Sequence, residues 1–365
     1  MNPPESASSP VRPAALQGLF RGELEELVAG AGEKRFRAAQ LFGWMHARHV
    51  ACEGDAMPNV PKALVASLAA AGWTATPLAL AAESPAAEGG TRKLLFRLVD
   101  GESVETVLLP GAEGKCTVCV STQAGCRMGC AFCATGKSGF ARSLSAGEIV
   151  SQVLAAAKVL GGRIDHVVLM GMGEPFDNYD ASLRAVRLMN CPEGLGIGAR
   201  KITISTCGIV PGIERLAGEG MQVELAVSLH AATPEKRATL MPVERRWGMD
   251  GLLAACEAYT AKTKRLVTFE YTLVAGLNDT AEDADTLAKK LSFPCKVNLI
   301  PLSPVEGFAG ERPDDAACEK FLARLVRRGM KATLRRSRGR ALDAACGQLR
   351  RRLRAARPAA AGSEK

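Results

Sequence analysis

The sequence predicts an α/β protein built on a barrel or partial barrel of parallel βα units, preceded by a helical N-terminal segment and a β-hairpin. Three observations carry that expectation. From about residue 116 onward, strand-like and helical runs alternate along the chain. The residues with chemical potential fall where those strand-like runs end, which is where such folds keep their chemistry. The chain has 365 residues, 47% of them apolar, enough for one large core and an appendage.

Taken in order, "MNPPESASSPVRPAAL" is Pro/Ser-rich and has no apolar stretch of the secretory kind, so residues 1–15 read as a disordered lead-in. No apolar run reaches the roughly 18–20 residues that cross a bilayer. The expectation is a cytoplasmic protein without a membrane partner. Residues 16–75 read as helical, with apolar positions at helical spacing in "LQGLFRGELEELVAG" and "RFRAAQLFGWMHARHV". Over 76–112, "KLLFRLVDGESVETVLLP" alternates about Asp100-Gly101 and predicts a hairpin. A core over 113–346 follows, with strands at "CTVCVST", "HVVLMG", "KITIST", "VELAVSLH", "VTFEYTLV", "CKVNLIPL" and "KATLRR". Helical stretches such as "SAGEIVSQVLAAAKVL", "ASLRAVRLMN", "DGLLAACEAYTAK" and "AEDADTLAKKL" lie between them. Residues 347–365 form a basic tail that ends in low complexity.

The net charge is +9, and it is unevenly placed. From Arg335 to Arg357 there are nine arginines and no lysine against a single acid, Asp343. An arginine-rich surface suits phosphate contacts, although a solvated helix end would read the same way.

The chemistry centres on "GCRMGCAFCATGKSGF", which sets Cys126, Cys130 and Cys133 in a C-x3-C-x2-C pattern on a glycine-rich loop after the first of the alternating strands. Twelve cysteines in a reducing compartment argue against a disulfide framework and for metal or redox chemistry. A zinc site could use Cys116, Cys119, Cys130 and Cys133, but it leaves Cys126 without a role. Three thiolates also suit a [4Fe–4S] cluster with one iron open to an outside ligand. Spacing, the preceding Phe132 and the place in the fold favour the cluster. Other strand exits carry Gly171-Met172-Gly173-Glu174-Pro175, Thr206-Cys207-Gly208 and Leu229-His230. By itself His230 reads as a satisfied core histidine, Cys119 as a strand cysteine and Glu105 as a solvated hairpin carboxylate.

The cysteine loop resembles the signature of the radical S-adenosylmethionine (SAM) superfamily. The longer set "CVSTQAGCRMGCAFCATGKSGFARSLSAGEIVSQV", "VLMGMGEPFDN", "ISTCGIVPGI", "LAVSLHA", "VNLIP" and "DAACGQL", in that order over about residues 16–353, resembles the bacterial RNA adenine methyltransferases of the RlmN/Cfr family, nearer the adenine-C2 type. The resemblance implies a partial (β/α)6-type barrel with a helical accessory RNA-binding domain. It implies a [4Fe–4S] cluster on Cys126, Cys130 and Cys133. It implies SAM, two molecules per turnover, contacted by Gly173, Glu174, Ser205, Ser228, Leu229, His230 and Asn298. Cys346 matches the family's methyl-carrying cysteine, Cys119 its partner, and Glu105 the proton acceptor. The logic of such a set is that adenine C2 is not nucleophilic, so displacement on a sulfonium methyl fails and radical chemistry is needed. In the implied cycle Cys346 takes a methyl group and joins the ring through it. Release then forms a disulfide with Cys119. The implied partners are 23S rRNA, tRNA and a low-potential electron donor of the flavodoxin or ferredoxin kind, acting on a monomer.

Three positions depart from the family pattern: Ser303 in "NLIPLSP", Pro242-Val243-Glu244-Arg245 where the family has a "PINK"-like stretch, and Arg340-Ala341 before Cys346. They bear on substrate choice more than on the cluster. Two other readings stand beside the C2 methyltransferase. One is a paralogue with the same chemistry on another RNA or at adenine C8, and the other is a zinc-ribbon RNA-binding protein without catalysis.

Overall fold

A computed structural model describes residues 13–47, 57, 59–86 and 88–335. Cys346, Arg340-Ala341 and most of the arginine-rich segment lie outside them. Among the described residues, ten strands form one open sheet in which spatial order follows chain order. These are β1 Leu78–Glu83, β2 Arg92–Leu98, β3 Ser103–Pro110, β4 Cys116–Cys119, β5 His166–Leu169, β6 Ile202–Thr206, β7 Glu224–Ser228, β8 Val267–Leu273, β9 Cys295–Pro301 and β10 Lys331–Leu334. Strands β4 to β10 are parallel, so six crossovers join seven strands, and each of the seven strand-like runs read from the sequence is present.

Eleven helices are described: α1 Arg21–Gly30, α2 Phe36–Phe42, α3 Lys62–Ala70, α4 Ala134–Lys137, α5 Ala146–Leu160, α6 Tyr179–Asn190, α7 Val210–Ala217, α8 Pro234–Leu240, α9 Met249–Thr263, α10 Ala281–Lys290 and α11 Asp315–Arg327. Their ends are written locally. Ser145 Oγ accepts the Glu148 N–H while the Glu148 carboxylate accepts the Ser145 N–H, which closes the first turn of α5. Gly161 ends that helix at φ 69°, a left-handed position that glycine adopts without strain.

Alternation along the parallel strands sorts the sheet into two faces. Ile202, Ile204, Leu225, Val227, Val267, Phe269, Val297 and Leu299 are buried in a common core with α5, α6, α7 and α9. The alternate row is more polar and less covered, with Ser205, Ser228 and Asn298 half-buried and Thr333 exposed. That second face is where ligands can approach.

Two expectations are corrected. The β extension is not a lone hairpin: β1 adds a third strand, and β3 pairs antiparallel with β4, so the hairpin continues the main sheet. "LALAAE", which forms β1, is built largely of alanine and lacks the β-branched residues that mark a strand in sequence. The lead-in also ends earlier than residue 15, because Ala14–Ala15 pair with Trp73–Thr74. The helices α1 to α3 enclose a separate core of Leu16, Leu24, Val28, Leu41, Phe42, Met45, Leu64 and Leu68. This segment docks on α5 through two glycines: a Cβ on Gly147 would lie 2.5 Å from the Ala15 Cβ. Arg184 Nε donates to the Gly18 carbonyl at 2.8 Å across the same contact. No described helix is long and apolar enough to cross a membrane.

Candidate active site

Past β4 the chain makes a short strand, Gln123–Gly125, paired with Phe140–Ser143, and the three-cysteine loop rises between them. Gly125 has φ 93°, and a Cβ there would sit 2.0 Å from the Gly139 carbonyl oxygen, so only glycine closes the loop's base. The Cys126 N–H donates to that same carbonyl at 3.0 Å. The Ala131 N–H, between the second and third cysteines, donates to the Leu240 carbonyl at the end of α8. Phe132 meets the His230 ring edge-on at 4.8 Å between centroids.

The three cysteines of this loop are half-buried. Burial pushes the Cys126 thiol up to about 12, with the neighbouring Cys133, Glu174 and Asp177 adding to the effect. Cys130 is raised further, by burial first and then by Cys133 and Cys126. The thiols therefore feel one another, and metal must displace their protons to bind. Yet no three His, Cys, Asp or Glu side chains among the described residues converge on a single metal ion. Three thiols that feel one another in this way on one glycine-rich loop suit the protein corners of an iron–sulfur cluster. The four-cysteine zinc array fails on a simpler ground. Cys116 and Cys119 stand three apart on the extended strand β4, so their side chains leave on opposite faces.

Gly173 has φ 104°, and a Cβ there would lie 2.7 Å from the Gln123 backbone nitrogen, so the β5 exit presses directly on the start of the cysteine loop. Gln123 Oε1 accepts the Glu174 N–H at 3.0 Å. The buried Glu174 carboxylate accepts N–H groups from Phe176 at 3.0 Å and Cys207 at 2.7 Å. Burial raises its pKa, against the pull of those donors. Cys207 is a thiol to which the sequence assigned no role. Burial lifts it well above the ordinary range, and Glu174, Cys130 and Cys126 add to the shift.

His230 sits at φ 57°, a left-handed conformation uncommon for a residue with a Cβ. Its surroundings over-determine it. The His230 N–H donates to the Glu270 carbonyl at 3.2 Å, its own carbonyl accepts from Asn278 Nδ2 at 2.7 Å, and Nδ1 accepts the Thr272 N–H at 2.9 Å. Burial, with Arg237 second, pushes the ring down to about 3, so it is neutral and carries its proton on Nε2. Leu229 is buried beside it, its N–H on the Glu270 carbonyl at 3.0 Å.

Strand register brings the remaining candidates onto one face. Cys119 pairs with Val168 and Val168 with Thr203, two residues before Ser205. Thr203 pairs with Glu224, four before Ser228, which stands against Glu270, then Asn298, then Thr333. On the other side Cys119 pairs with Val107, two residues after Glu105. Glu105, Cys119, Ser205, Ser228 and Asn298 therefore share the polar face. Glu105 is not the solvated carboxylate its hairpin position reads as by itself: it is 1% exposed, and its carbonyl accepts Ser121 Oγ at 2.6 Å.

Glu270 and Arg237 are the residues that sequence reasoning missed. Asn298 Nδ2 donates to Glu270 Oε2 at 2.7 Å, and burial lifts Glu270 to about 7 against the pull of Asn298 and Arg335. A signal existed: Thr268, Glu270 and Thr272 alternate in "VTFEYTL", marking a polar face on an otherwise apolar strand. Arg237 gave none, lying in a short, mostly polar helical stretch, "PEKRATL".

A parallel α/β sheet with a three-cysteine loop after its first parallel strand, beside a polar strand-end face, defines a radical SAM enzyme. Residues 120–291 match the family model described as "Radical SAM superfamily". Residues 14–72 match the one described as "Ribosomal RNA large subunit methyltransferase N-terminal domain". The chain is 48% identical to the probable dual-specificity RNA methyltransferase RlmN of Moorella thermoacetica, over 92% of this chain and 96% of that one. It is 49% identical to the protein of the same name from Symbiobacterium thermophilum, over 92% and 91%. The crystal structure of a radical SAM methyltransferase from Sphaerobacter thermophilus superposes with a TM-score of 0.87 at 48% identity, covering 92% of this chain and 99% of that chain. The chain belongs to the RlmN family, and its cofactors are a [4Fe–4S] cluster and SAM.

Proposed function

We propose that this protein methylates carbon 2 of adenine in RNA, in 23S rRNA and in tRNA, through a methyl group carried on Cys346. The observation that carries the reading is the shared face of Glu105, Cys119, Ser205, Ser228 and Asn298, which sets an acid and a thiol along the same polar surface as the strand-end row. The names of the relatives, RNA methyltransferases of dual specificity, support RNA as the substrate class.

In this reading Cys126, Cys130 and Cys133 hold the cluster, and bound there with SAM it supplies the one-electron chemistry that a non-nucleophilic ring carbon requires. The turn at Gly173-Glu174 brings backbone close to the ligand, with Glu174 bracing it. Ser205, Ser228, Leu229, His230 and Asn298 line the SAM side, and Glu270 orients the Asn298 carboxamide. Neutral His230 offers an Nε2–H donor without adding charge. One hydrogen atom of the methyl on the Cys346 sulfur would be lost to the radical chemistry that the bound cofactors supply, and one electron would return to them, as that carbon bonds to adenine C2. Glu105 takes the C2 proton, the Cys119 thiolate attacks the Cys346 sulfur, and the sulfur–carbon bond breaks toward carbon, which takes up a proton and leaves as the methyl group while Cys119 and Cys346 form a disulfide. Residues 16–75 serve as the RNA-binding accessory segment, 76–112 as the β extension, 113–346 as the catalytic core and 347–365 as a basic tail. The reading includes a cytoplasmic monomer reduced by a flavodoxin or ferredoxin.

Nucleoside mass spectrometry of rRNA and tRNA from a gene-deletion strain and its complemented counterpart tests it. Loss of 2-methyladenosine, restored by the wild-type gene but not by Cys346→Ala, is expected. A change in 8-methyladenosine instead, or restoration by Cys346→Ala, would overturn the proposed carbon or the carrier thiol.

A further inference from the structure

Arg237 is fully buried, one of the largest side chains in the protein with no exposure to solvent. A guanidinium cannot shed its proton inside a protein, so a full positive charge stands in the core. It lies on α8, directly behind the cysteine loop. Nη2 donates to the Cys207 carbonyl at 2.6 Å and to the Ser228 carbonyl at 3.4 Å, which ties the end of β6 to the end of β7. Nη1 donates to Glu244 Oε2 at 2.5 Å. Nε has no hydrogen-bond partner, so the charge is incompletely compensated. The same helix accepts the Ala131 N–H through the Leu240 carbonyl, and Pro242 Cγ lies 3.7 Å from where a Cβ of Gly129 would be. Helix α8 and the turn after it are thus the back wall of the loop that carries Cys130 and Cys133. Glu244, one of the departures noted in the sequence, is 8% exposed at its side chain and also accepts the Met249 N–H at 2.8 Å.

Fixed charges in a low-dielectric wall tune a nearby redox centre, because the field is weakly screened there. When a [4Fe–4S] centre takes one electron from an external low-potential donor, its net charge falls by one. A buried cation stabilises that reduced state, and a buried anion opposes it. We propose that Arg237 is a positioning residue of this site that ties two ligand-bearing strand ends together and raises the reduction potential of the cluster, an effect Glu244 tempers. The proposal rests on the cysteine loop holding a [4Fe–4S] cluster.

The test is a potentiometric titration of the reconstituted full-length protein, with dithionite as the electron source and the reduced cluster read by electron paramagnetic resonance. Wild type is compared with Arg237→Gln, Arg237→Lys and Glu244→Gln. The midpoint potential is expected to become more negative in R237Q and more positive in E244Q. In R237K, which keeps the charge but loses the fork between two carbonyls, it should stay near wild type while SAM affinity falls. Opposite shifts from the two partners are something general loosening of the site would not produce. Where R237Q fails to hold iron, E244Q decides. Shifts in the same direction, no shift in E244Q, or an R237K potential that follows R237Q would overturn the proposal. A wild-type protein without a dithionite-reducible cluster would overturn the functional reading as well, whereas a reducible wild type with unmoved variants would overturn only the role of Arg237.

Discussion

Glu174, just past β5, and Glu270, inside β8, are both buried carboxylates of the same site, yet they are held in different ways. Glu174 accepts backbone N–H groups from Phe176 and Cys207 on its two oxygens, so it joins the exits of β5 and β6 as a fixed brace. Glu270 accepts from a side chain, Asn298 Nδ2, on the neighbouring strand, and burial has lifted it to about 7. Burial is common to the two, and the partners differ. A carboxylate filled by backbone donors holds shape, whereas one held by a single amide can change protonation near neutral pH and pass that change to the Asn298 carboxamide.

The sharpest way to break the comparison is Glu174→Ala. It leaves two buried N–H groups without acceptors, which costs about 2–5 kcal/mol. In a chain of this size that lowers the melting temperature by roughly 3–7 °C. Calorimetry or a thermal melt checks this, and a change under about 1 kcal/mol would remove the brace.

A smaller and pH-dependent effect is expected at Glu270. Its folded pKa of about 7 lies above the ordinary 4.5. The folded state therefore binds the proton more tightly than the unfolded one. The resulting stabilisation is fully present below pH 4.5 and is lost as pH rises through 7, a change of up to about 3 kcal/mol. The charges facing it matter to the sign: Arg335 and the Asn298 amide already pull it down, and burial outweighs both. Glu270→Gln, which keeps shape and neutrality, should flatten melting temperature against pH between 4.5 and 7 and be the more stable protein at pH 8. Identical slopes in the two proteins would end the distinction between the glutamates.

The smallest effect belongs outside the comparison and gives its baseline. Arg21 and Glu193 pair at 3.5 Å between the N-terminal segment and the core, with side chains 44% and 56% exposed. Glu193→Ala is expected to change stability by less than about 0.5 kcal/mol in a denaturant titration.

What the sequence disclosed depended on how local each feature is. The C-x3-C-x2-C loop, the Gly173-Glu174 turn and the strand exits are contiguous runs whose spacing carries their meaning. Strand β1 was missed because its alanine-rich run has no strong β preference and becomes a strand only by pairing with β2. The zinc array looked plausible as a spacing and failed as geometry, because C-x2-C on an extended strand splits its thiols between faces. Glu105 and Cys119 were singled out through resemblance, and neither residue's own context distinguished it.

By itself, then, the sequence determined the order of elements, the three-thiol loop and which strand ends carry polar groups, since these follow from periodicities of two and 3.6 residues and from short spacings. Tertiary structure alone decided which of those groups meet. Parallel register aligns Ser228, Glu270 and Asn298 in one row across strands up to 70 residues apart. A helix between β7 and β8 delivers Arg237 behind the cysteine loop, about a hundred residues from it in the chain. The protonation of Glu270 and of His230 follows from burial and charge that the folded chain supplies. Such contacts are set by the packing of whole elements, and no local window of sequence contains them.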